Sequence, residues 1–368
     1  MSESRSDWGP LEPLIANPEI IEIMVNGPHA VFIEREGQLV KTDVTFKSDE
    51  QLLSVIQRMV EPLGCRVDEA TPMVDARLAD GIRINAIIPP VAVTGPALTI
   101  RKFVRTPLTL EKMLEYGVLS EDMAAFLRTC VAGRLNIVLA GGAGSGKTTF
   151  LSRVVDMIPE GERIVLIQDA DEIQTDRKRV VKLESRPPNI AGKGGITLRD
   201  LIANSRNMRP DRVIVGEVRS EEAQEILDMM NTGHDGSILT LHAANARDVL
   251  GRLEMMMLLA NPSLPVRAIR EQIASALSLI VCMERVRDGT RKVMNMTEVL
   301  GMEGDVIVLQ ELFAFRETGL SEGRVQGYHT ATGIIPRFFS RFREMSIDLP
   351  VELFAPRSSG SAEPGARQ

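Results

Sequence analysis

Residues 135–149 read Leu135-Asn136-Ile137-Val138-Leu139-Ala140-Gly141-Gly142-Ala143-Gly144-Ser145-Gly146-Lys147-Thr148-Thr149, and this stretch decides the fold. An apolar run of strand length passes into G-x-x-x-x-G-K-T, after which Phe150, Leu151, Val154 and Val155 repeat at helical spacing. Strand, glycine loop and helix together make the setting in which this spacing binds polyphosphate. Gly141, Gly142, Ala143, Gly144, Ser145 and Gly146 let successive backbone N–H groups turn inward, and the helix N-terminus adds its partial positive charge. Lys147 then reaches the β- and γ-phosphates, while Thr148, followed by Thr149, offers a hydroxyl to Mg²⁺. A glycine-rich turn is the plainer reading. Residue frequencies alone produce the bare pattern in roughly one chain of this length in a hundred, and the flanking strand and helix make a chance match rarer still. ATP with Mg²⁺ is the expected ligand.

The 368 residues are enough for two or three domains with real cores, and 44% hydrophobic with 25% charged residues is ordinary globular composition. A net charge of −7 argues against a protein that coats nucleic acid. One Trp and two Tyr leave little for base stacking. Cys65, Cys130 and Cys282 have no metal-ligand spacing and read as buried thiols in a reducing compartment. The first eight residues lack the apolar core of a signal peptide, and no apolar run approaches a membrane span. A cytoplasmic protein that touches membranes only through a partner is expected.

The pattern along the chain predicts an α/β protein of two domains: an N-terminal α/β domain over 11–103, a linker over 104–109, an ATPase domain over 110–345 and a partly disordered tail over 346–368. In the first domain, Glu19 to Val25, Ala30 to Glu34 and Leu39 to Phe46 suggest an antiparallel meander with turns at Asn26-Gly27 and Glu36-Gly37. Ser48 is placed to cap a helix over Asp49 to Leu63, and strands follow at Arg83 to Ile88 and Leu98 to Phe103. From Leu110 onward helices alternate with apolar strands, as in a sheet covered on both faces. Strands are expected at 163–168, 179–184, 212–216, 237–241 and 278–285, with a hairpin through Gly301 to Gly304. Thr197 and Ser220 are placed to cap helices near 197–207 and 220–231; further helices are expected near 246–259 and 265–277.

A phosphate loop needs carboxylates at neighbouring strand ends. Ile164 to Gln168 leads into Asp169-Ala170-Asp171-Glu172, and Arg212 to Gly216 leads into Glu217. Gly216 stands where a metal-shell Asp is usual. Gly233-His234-Asp235-Gly236 and Thr240-Leu241-His242 flank one more apolar run. Without cysteines, this histidine spacing is poor for zinc.

In this order the phosphate loop, the acidic run Gln168 to Glu172, Gly216-Glu217-Val218-Arg219 and Thr232 to His242 resemble the ATPases of the type II/type IV secretion superfamily. Asn85 to Pro90, Gly95 to Arg101, Glu184 to Asn189, Met208 to Asp211 and Ala331-Thr332-Gly333 resemble its tight-adherence (Tad/Flp) pilus assembly branch. The resemblance implies a hexameric ring of two-domain subunits with a RecA-like ATPase domain. It implies that Glu172 positions or deprotonates the attacking water, that Glu217 supports the metal shell with Thr148, and that His234 and His242 sense the γ-phosphate. Arg83 and Arg101 match arginines that reach the phosphates, although a surface or structural ion pair is the plainer reading of each. The implied partners are inner-membrane platform proteins of a pilus or secretion machine, with no nucleic acid. Gln168 stands where the family often has Glu, which removes a charge near the metal. A nucleic-acid motor, a nucleotide-dependent scaffold of low turnover and a small-molecule kinase are the competing classes.

Overall fold

The computed structural model describes residues 8–35, 38–78, 81–102, 108–186, 188 and 193–357. It divides into two compact units, Met1–Pro107 and Leu108–Gln368. Most of the expected linker, the turn at Glu36-Gly37, Phe103, part of the Glu184 to Asn189 segment and Ser358 to Gln368 lie outside the described residues.

The first unit runs α1 (Glu12–Ala16), β1 (Ile20–Asn26), β2 (Val31–Arg35), β3 (Gln38–Lys41), α2 (Asp49–Val60), β4 (Met73–Arg77), β5 (Arg83–Ile87) and β6 (Ala97–Arg101). The strands form one sheet in the order β3-β2-β1-β6-β5-β4, so the meander is present and β6 closes onto β1. Ser48 caps α2 by accepting from the Gln51 N–H, and Leu52, Val55, Ile56 and Met59 lay an apolar stripe on the sheet core. The third strand is shorter than expected. After Lys41 the chain leaves the ladder, with Thr42 bonded to the Val31 carbonyl and the Phe46 N–H to Pro28. β4 was not legible, because Met73 to Arg77 carries only two buried residues, Val74 and Ala76, between polar ones.

The second unit opens with α3 (Leu110–Glu115), α4 (Glu121–Ala132), β7 (Ile137–Gly141), α5 (Lys147–Asp156), β8 (Ile164–Gln168), β9 (Val180–Glu184) and α6 (Leu198–Ser205). It continues through β10 (Arg212–Val218), α7 (Glu222–Asn231), β11 (Ile238–Leu241), α8 (Ala246–Ala260), α9 (Val266–Ala276), β12 (Leu279–Arg285), β13 (Arg291–Glu303), β14 (Val306–Ser321), β15 (Arg324–Ala331) and α10 (Phe339–Glu344). The strands form one sheet in the order β15-β14-β13-β12-β7-β11-β10-β8-β9. Strands from β12 to β9 in that order are parallel, and β13 to β15 add antiparallel hairpins. Every residue of β7, β8 and β11 is buried. Ile137, Leu139, Ile164 and Leu166 enter one core with Phe126 and Phe150, and Val138, Ala140, Val165 and Ile167 enter the other with Leu227 and Leu253. The period-two alternation thus serves two apolar layers instead of one apolar and one wet face.

Thr197 caps α6 through a capping box with Asp200. Ser220 does not cap α7; the buried Glu222 carboxylate accepts from the Arg219 and Ser220 N–H groups instead, a charge-assisted substitute for the hydroxyl. The core also extends past the expected domain end at 345. Phe354 is buried edge-on against Phe126, 5.6 Å between centroids, and Leu349 is buried beside it. Leu349 and Phe354 thus anchor the segment after 345 to the core, and Phe313, Phe338 and Phe342 complete the aromatic cluster around Phe126.

Candidate active site

The strand order brings the carboxyl ends of β7, β11, β10 and β8 to one edge, the position where ligands gather in open parallel sheets. Gly146, at φ +90°, is the N-cap of α5, and Gly144 turns at φ +69°. A Cβ at Gly141 would lie 2.5 Å from Ser145 Oγ and 2.6 Å from the Met283 carbonyl, so only glycine allows the loop to fold this tightly. Ser145, 1% exposed, donates from Oγ (2.8 Å) and from its N–H (3.3 Å) to the Gly142 carbonyl. Lys147 Nζ donates to the carbonyls of Gly141 (2.7 Å) and Gly142 (3.0 Å), so the ammonium is curled over its own loop. Burial pulls the Lys147 pKa below the ordinary lysine range; the Glu217 carboxylate opposes that shift and the Arg219 cation adds to it.

Glu217 projects from a β-bulge. The register between β10 and β11 shifts between Val215 and Val218, so Gly216 and Glu217 together occupy the space opposite Thr240, whose hydroxyl donates to the Gly216 carbonyl. A Cβ at Gly216 would come to 3.0 Å from Gln168 Cβ on β8, so a side chain there would crowd the neighbouring strand.

Gln168 is 3% exposed and used at both ends: its Nε2 donates to Asp171 Oδ1 (2.7 Å) and its Oε1 accepts from the Ile173 N–H (3.2 Å). A Glu could not donate to Asp171. The amide thus fixes the acidic loop, with Lys182 Nζ 2.8 Å from the same Asp171 oxygen. A tight turn from the Glu172 N–H to the Ala170 carbonyl (2.6 Å) then sets Glu172.

Arg219, quoted in the sequence motif without a role, joins the two acidic strand ends. Its Nη2 and Nε reach Glu217 Oε2 at 2.6 and 3.0 Å, and its Nη1 reaches Asp169 Oδ2 at 3.3 Å. Ser185 Oγ holds Asp169 at 2.8 Å. The hydrogen bonds that Arg219 donates to Glu217 raise its pKa above the ordinary arginine value, and the charges of Glu217, Asp169 and Glu172 add to the rise. Phosphate loop, Glu217 and Glu172 are thereby placed in one charged cluster. No local pattern announces it, since Arg219 and Asp169 are 50 residues apart.

The two histidines separate. His242 follows β11 directly and is exposed at the phosphate-loop edge. His234 precedes β11, and the four strand residues alone span roughly 13 Å. It therefore lies at the opposite, amino edge of the sheet, away from the phosphate loop of the same chain. The reason is the direction of β11, parallel to β7. At that amino edge Asn136 Oδ1 accepts from the Gly236 and Ser237 N–H groups, and Arg341 pairs with Asp235 at 3.0 Å.

Arg83 and Arg101 belong to the first unit, where they stand directly opposite each other on β5 and β6. Arg77 stands opposite Arg83 on β4, and Asp75 Oδ2 is 3.9 Å from Arg83. The three arginines form a row on the face away from Ile84 and Ile100.

The glycine cradle, the lysine and the helix N-terminus fit a nucleotide polyphosphate, and Thr148 and Glu217 fit the shell of an accompanying Mg²⁺. Among the described residues no cluster of three or more His, Cys, Asp or Glu could by itself hold a metal. Cys130 and Cys282 are buried, which pushes the first thiol well up and the second to about 12. Among the described residues no helix is long and apolar enough to cross a membrane.

Comparison with known proteins gives the same picture. The sequence profile of the type II/IV secretion system protein family matches residues 4–340. A putative conjugal transfer protein of Mycobacterium tuberculosis is 32% identical over 304 residues, 81% of this chain and 86% of the relative. The conjugal transfer protein TrbB of Rhizobium radiobacter is 33% identical over 77% of this chain and 84% of its own. The crystal structure of the pilus retraction motor PilT with bound ADP aligns with a TM-score of 0.53 at 17% identity, covering 89% of this chain and 83% of that one, a likeness of fold. With the profile running through both units and the RecA-like sheet carrying its phosphate loop at the expected edge, the chain belongs to the type II/IV secretion system ATPase family.

Proposed function

We propose that this chain hydrolyses ATP as the motor of a pilus assembly or secretion machine of the tight-adherence type, working as a hexameric ring against integral inner-membrane platform proteins. The observation that carries the reading is the charged cluster at the sheet edge: Lys147 on its loop, Glu217 on its bulge and Glu172 on its turn, with Arg219 spanning the carboxylates. Loop N–H groups and Lys147 bind the β- and γ-phosphates. Glu172 orients the water that attacks the γ-phosphorus, accepting its proton as the bond to ADP breaks. Thr148 and Glu217 would hold Mg²⁺, which would neutralise charge on the transferring phosphate. His242 is positioned for the γ-phosphate by its place beside the loop. Arg83 and Arg101, with Arg77, offer a second cationic surface to phosphate.

The pilus branch rests on the segments around Asn85, Gly95, Met208 and Ala331. The two conjugal transfer relatives favour a second reading, a motor of a conjugation-type secretion machine. Purification of the native complex from membranes, with phosphate release assayed in parallel, tests both. Pilus platform proteins co-purifying with an active ATPase support the first reading. Conjugation-channel proteins in their place support the second. A preparation in which wild type and Lys147→Ala release phosphate alike sinks the ATPase itself.

A further inference from the structure

Glu172 is held through its two neighbours in the chain. Gln168 closes β8 and Lys182 lies on β9; the two strands are parallel with Leu166 opposite Lys182, so the period of two brings both side chains to one face of the sheet. Each of them grips the acidic loop twice. Gln168 Nε2 donates to Asp171 Oδ1 at 2.7 Å while its Oε1 accepts from the Ile173 N–H at 3.2 Å. Lys182 Nζ donates to the same Asp171 oxygen at 2.8 Å and to the Ile173 carbonyl at 3.0 Å. The residue before Glu172 is thus fixed by its side chain, and the residue after it by both its N–H and its carbonyl.

The far end of the loop is tied to the phosphate-loop helix. Ile173 buries its side chain in the core that holds Leu166 and Phe150, and the next residue, Gln174, donates its N–H to Ser152 Oγ at 3.2 Å. Ser152, 4% exposed on α5, donates that hydroxyl in turn to the Thr148 carbonyl at 3.0 Å. Arg153 Nη2 donates to the Gln174 carbonyl at 3.2 Å. A run of hydrogen bonds therefore joins the strand-end amide, the loop that carries Glu172 and the helix turn that begins with Lys147 and Thr148. Such networks in a low-dielectric interior rigidify what they enclose, and turnover falls steeply when a catalytic group is misplaced. The order of donors and acceptors is also specific. An amide at 168 gives Asp171 a hydrogen, whereas a carboxylate there would set two negative groups at hydrogen-bond distance.

We propose that Gln168 and Lys182 are positioning residues for hydrolysis, a double clamp that holds Glu172 in place beside the phosphate loop. This rests on the ATPase reading given above, in which Glu172 handles the attacking water. The clamp acts through Glu172 rather than on the nucleotide, so loosening it lowers kcat and leaves KM and ADP affinity nearly unchanged. The amide at 168 is accordingly a requirement of this chain's own loop, and a carboxylate added there lowers turnover instead of raising it.

The test compares wild type, Gln168→Glu, Asp171→Asn, the double variant of these two, Lys182→Met and Glu172→Gln in the full chain. Steady-state ATP turnover, titration with a fluorescent ADP analogue, thermal melting and hydrogen–deuterium exchange over residues 169–175 of the nucleotide-free protein are measured for each. Gln168→Glu is expected to lower kcat about tenfold or more, with KM and ADP affinity within about twofold of wild type and faster exchange over 169–175. Asp171→Asn alone keeps an acceptor oxygen and is expected to stay within about threefold of wild-type turnover. The double variant reverses donor and acceptor, the new amide at 171 donating to the new carboxylate at 168, and is expected to recover turnover to within about threefold together with the slower exchange. Lys182→Met, on the last strand of the sheet with its side chain 34% exposed, carries the same split of kcat against KM should Gln168→Glu fail to fold. Turnover within about twofold of wild type in both Gln168→Glu and Lys182→Met overturns the clamp, even where exchange is faster. So does a joint loss of kcat, affinity and melting temperature that the double variant does not repair, since that marks a contact needed only for folding. If wild type releases no phosphate, or Glu172→Gln releases it at the wild-type rate, the reading of the site falls and the clamp with it, whereas failure of the clamp alone leaves Glu172→Gln slow.

Discussion

At the scale of single residues, the site separates groups that hold charge from groups positioned for proton transfer. Lys147 Nζ donates to two carbonyls of its own loop, neutral groups that its removal does not leave as a buried charge. Lys147→Ala is expected to lower turnover by about 10² or more with an unchanged melting temperature; turnover within about threefold of wild type would show that the loop does not handle phosphate. Glu217 and Glu172 differ in their ties. Glu217 Oε2 accepts two N–H bonds from one guanidinium, an arrangement suited to fixed charge near a metal, whereas Glu172 is set by a backbone turn at the end of the acidic loop. Glu172→Gln is therefore expected to bind ADP normally and hydrolyse ATP about 10² slower. Normal hydrolysis in Glu172→Gln alongside a dead Glu217→Gln would reverse the two roles.

At the scale of elements, the two edges of the parallel sheet do different work. The carboxyl edge carries the phosphate loop with Glu217 and Asp169; the amino edge is closed by a buried ion pair. Arg212, wholly buried at the start of β10, meets Glu162 at 2.6 and 3.1 Å and donates to the Val131 and Gly236 carbonyls. A Cβ at Gly236, where φ is +84°, would fall 2.0 Å from Arg212 Nη1. Gly236→Ala is expected to destabilise the chain by about 3 kcal/mol or more, the scale for disturbing a buried pair, while the folded fraction retains its kcat. Denaturant unfolding with an active-site titration checks both halves.

The antiparallel end of the sheet carries a pH-sensitive histidine. His329 on β15 bonds the Val293 carbonyl at 3.1 Å and packs 5.0 Å from the Phe315 ring; burial, helped by Lys292, lowers its pKa to about 4. A folded pKa below the unfolded value of about 6.5 means protonation favours unfolding, so this contribution is complete above about pH 6.5 and lost on acidification toward 4. Wild type should lose on the order of 2 kcal/mol more than His329→Phe across that window. Parallel stability curves for the two proteins would exclude the buried histidine as the cause.

At the scale of the whole molecule, the proposed hexameric ring makes turnover depend on assembly. ATPase activity is accordingly expected to rise faster than linearly with protein concentration as rings form, and Arg101→Ala to reduce it at saturating ATP. Light scattering alongside phosphate release reads the first, and a strictly monomeric protein of constant specific activity would remove the ring from the mechanism. Membrane association in fractionated cells is expected only where the platform proteins are present.

The sequence by itself determined those features that depend on neighbours along the chain. The run Ile137 to Ala140 needed burial on both faces, G-x-x-x-x-G-K-T needed a loop at a helix start, and Ser48 and Thr197 needed N–H groups three residues on. Such signals are local, because backbone geometry and burial alternate with fixed periods. Tertiary structure alone decided which strand ends meet. Placing β11 between β7 and β10 put His242 beside the phosphate loop and His234 at the far edge, although both belong to one motif. Close approach of β10 to β8 leaves little room beside Gly216, and Arg219 reaches Asp169 across the same gap. Strand order likewise laid β9 beside β8, so that Lys182 reaches Asp171 and Ile173 from a neighbouring strand, where packing between strands rather than any local period decides what holds Glu172.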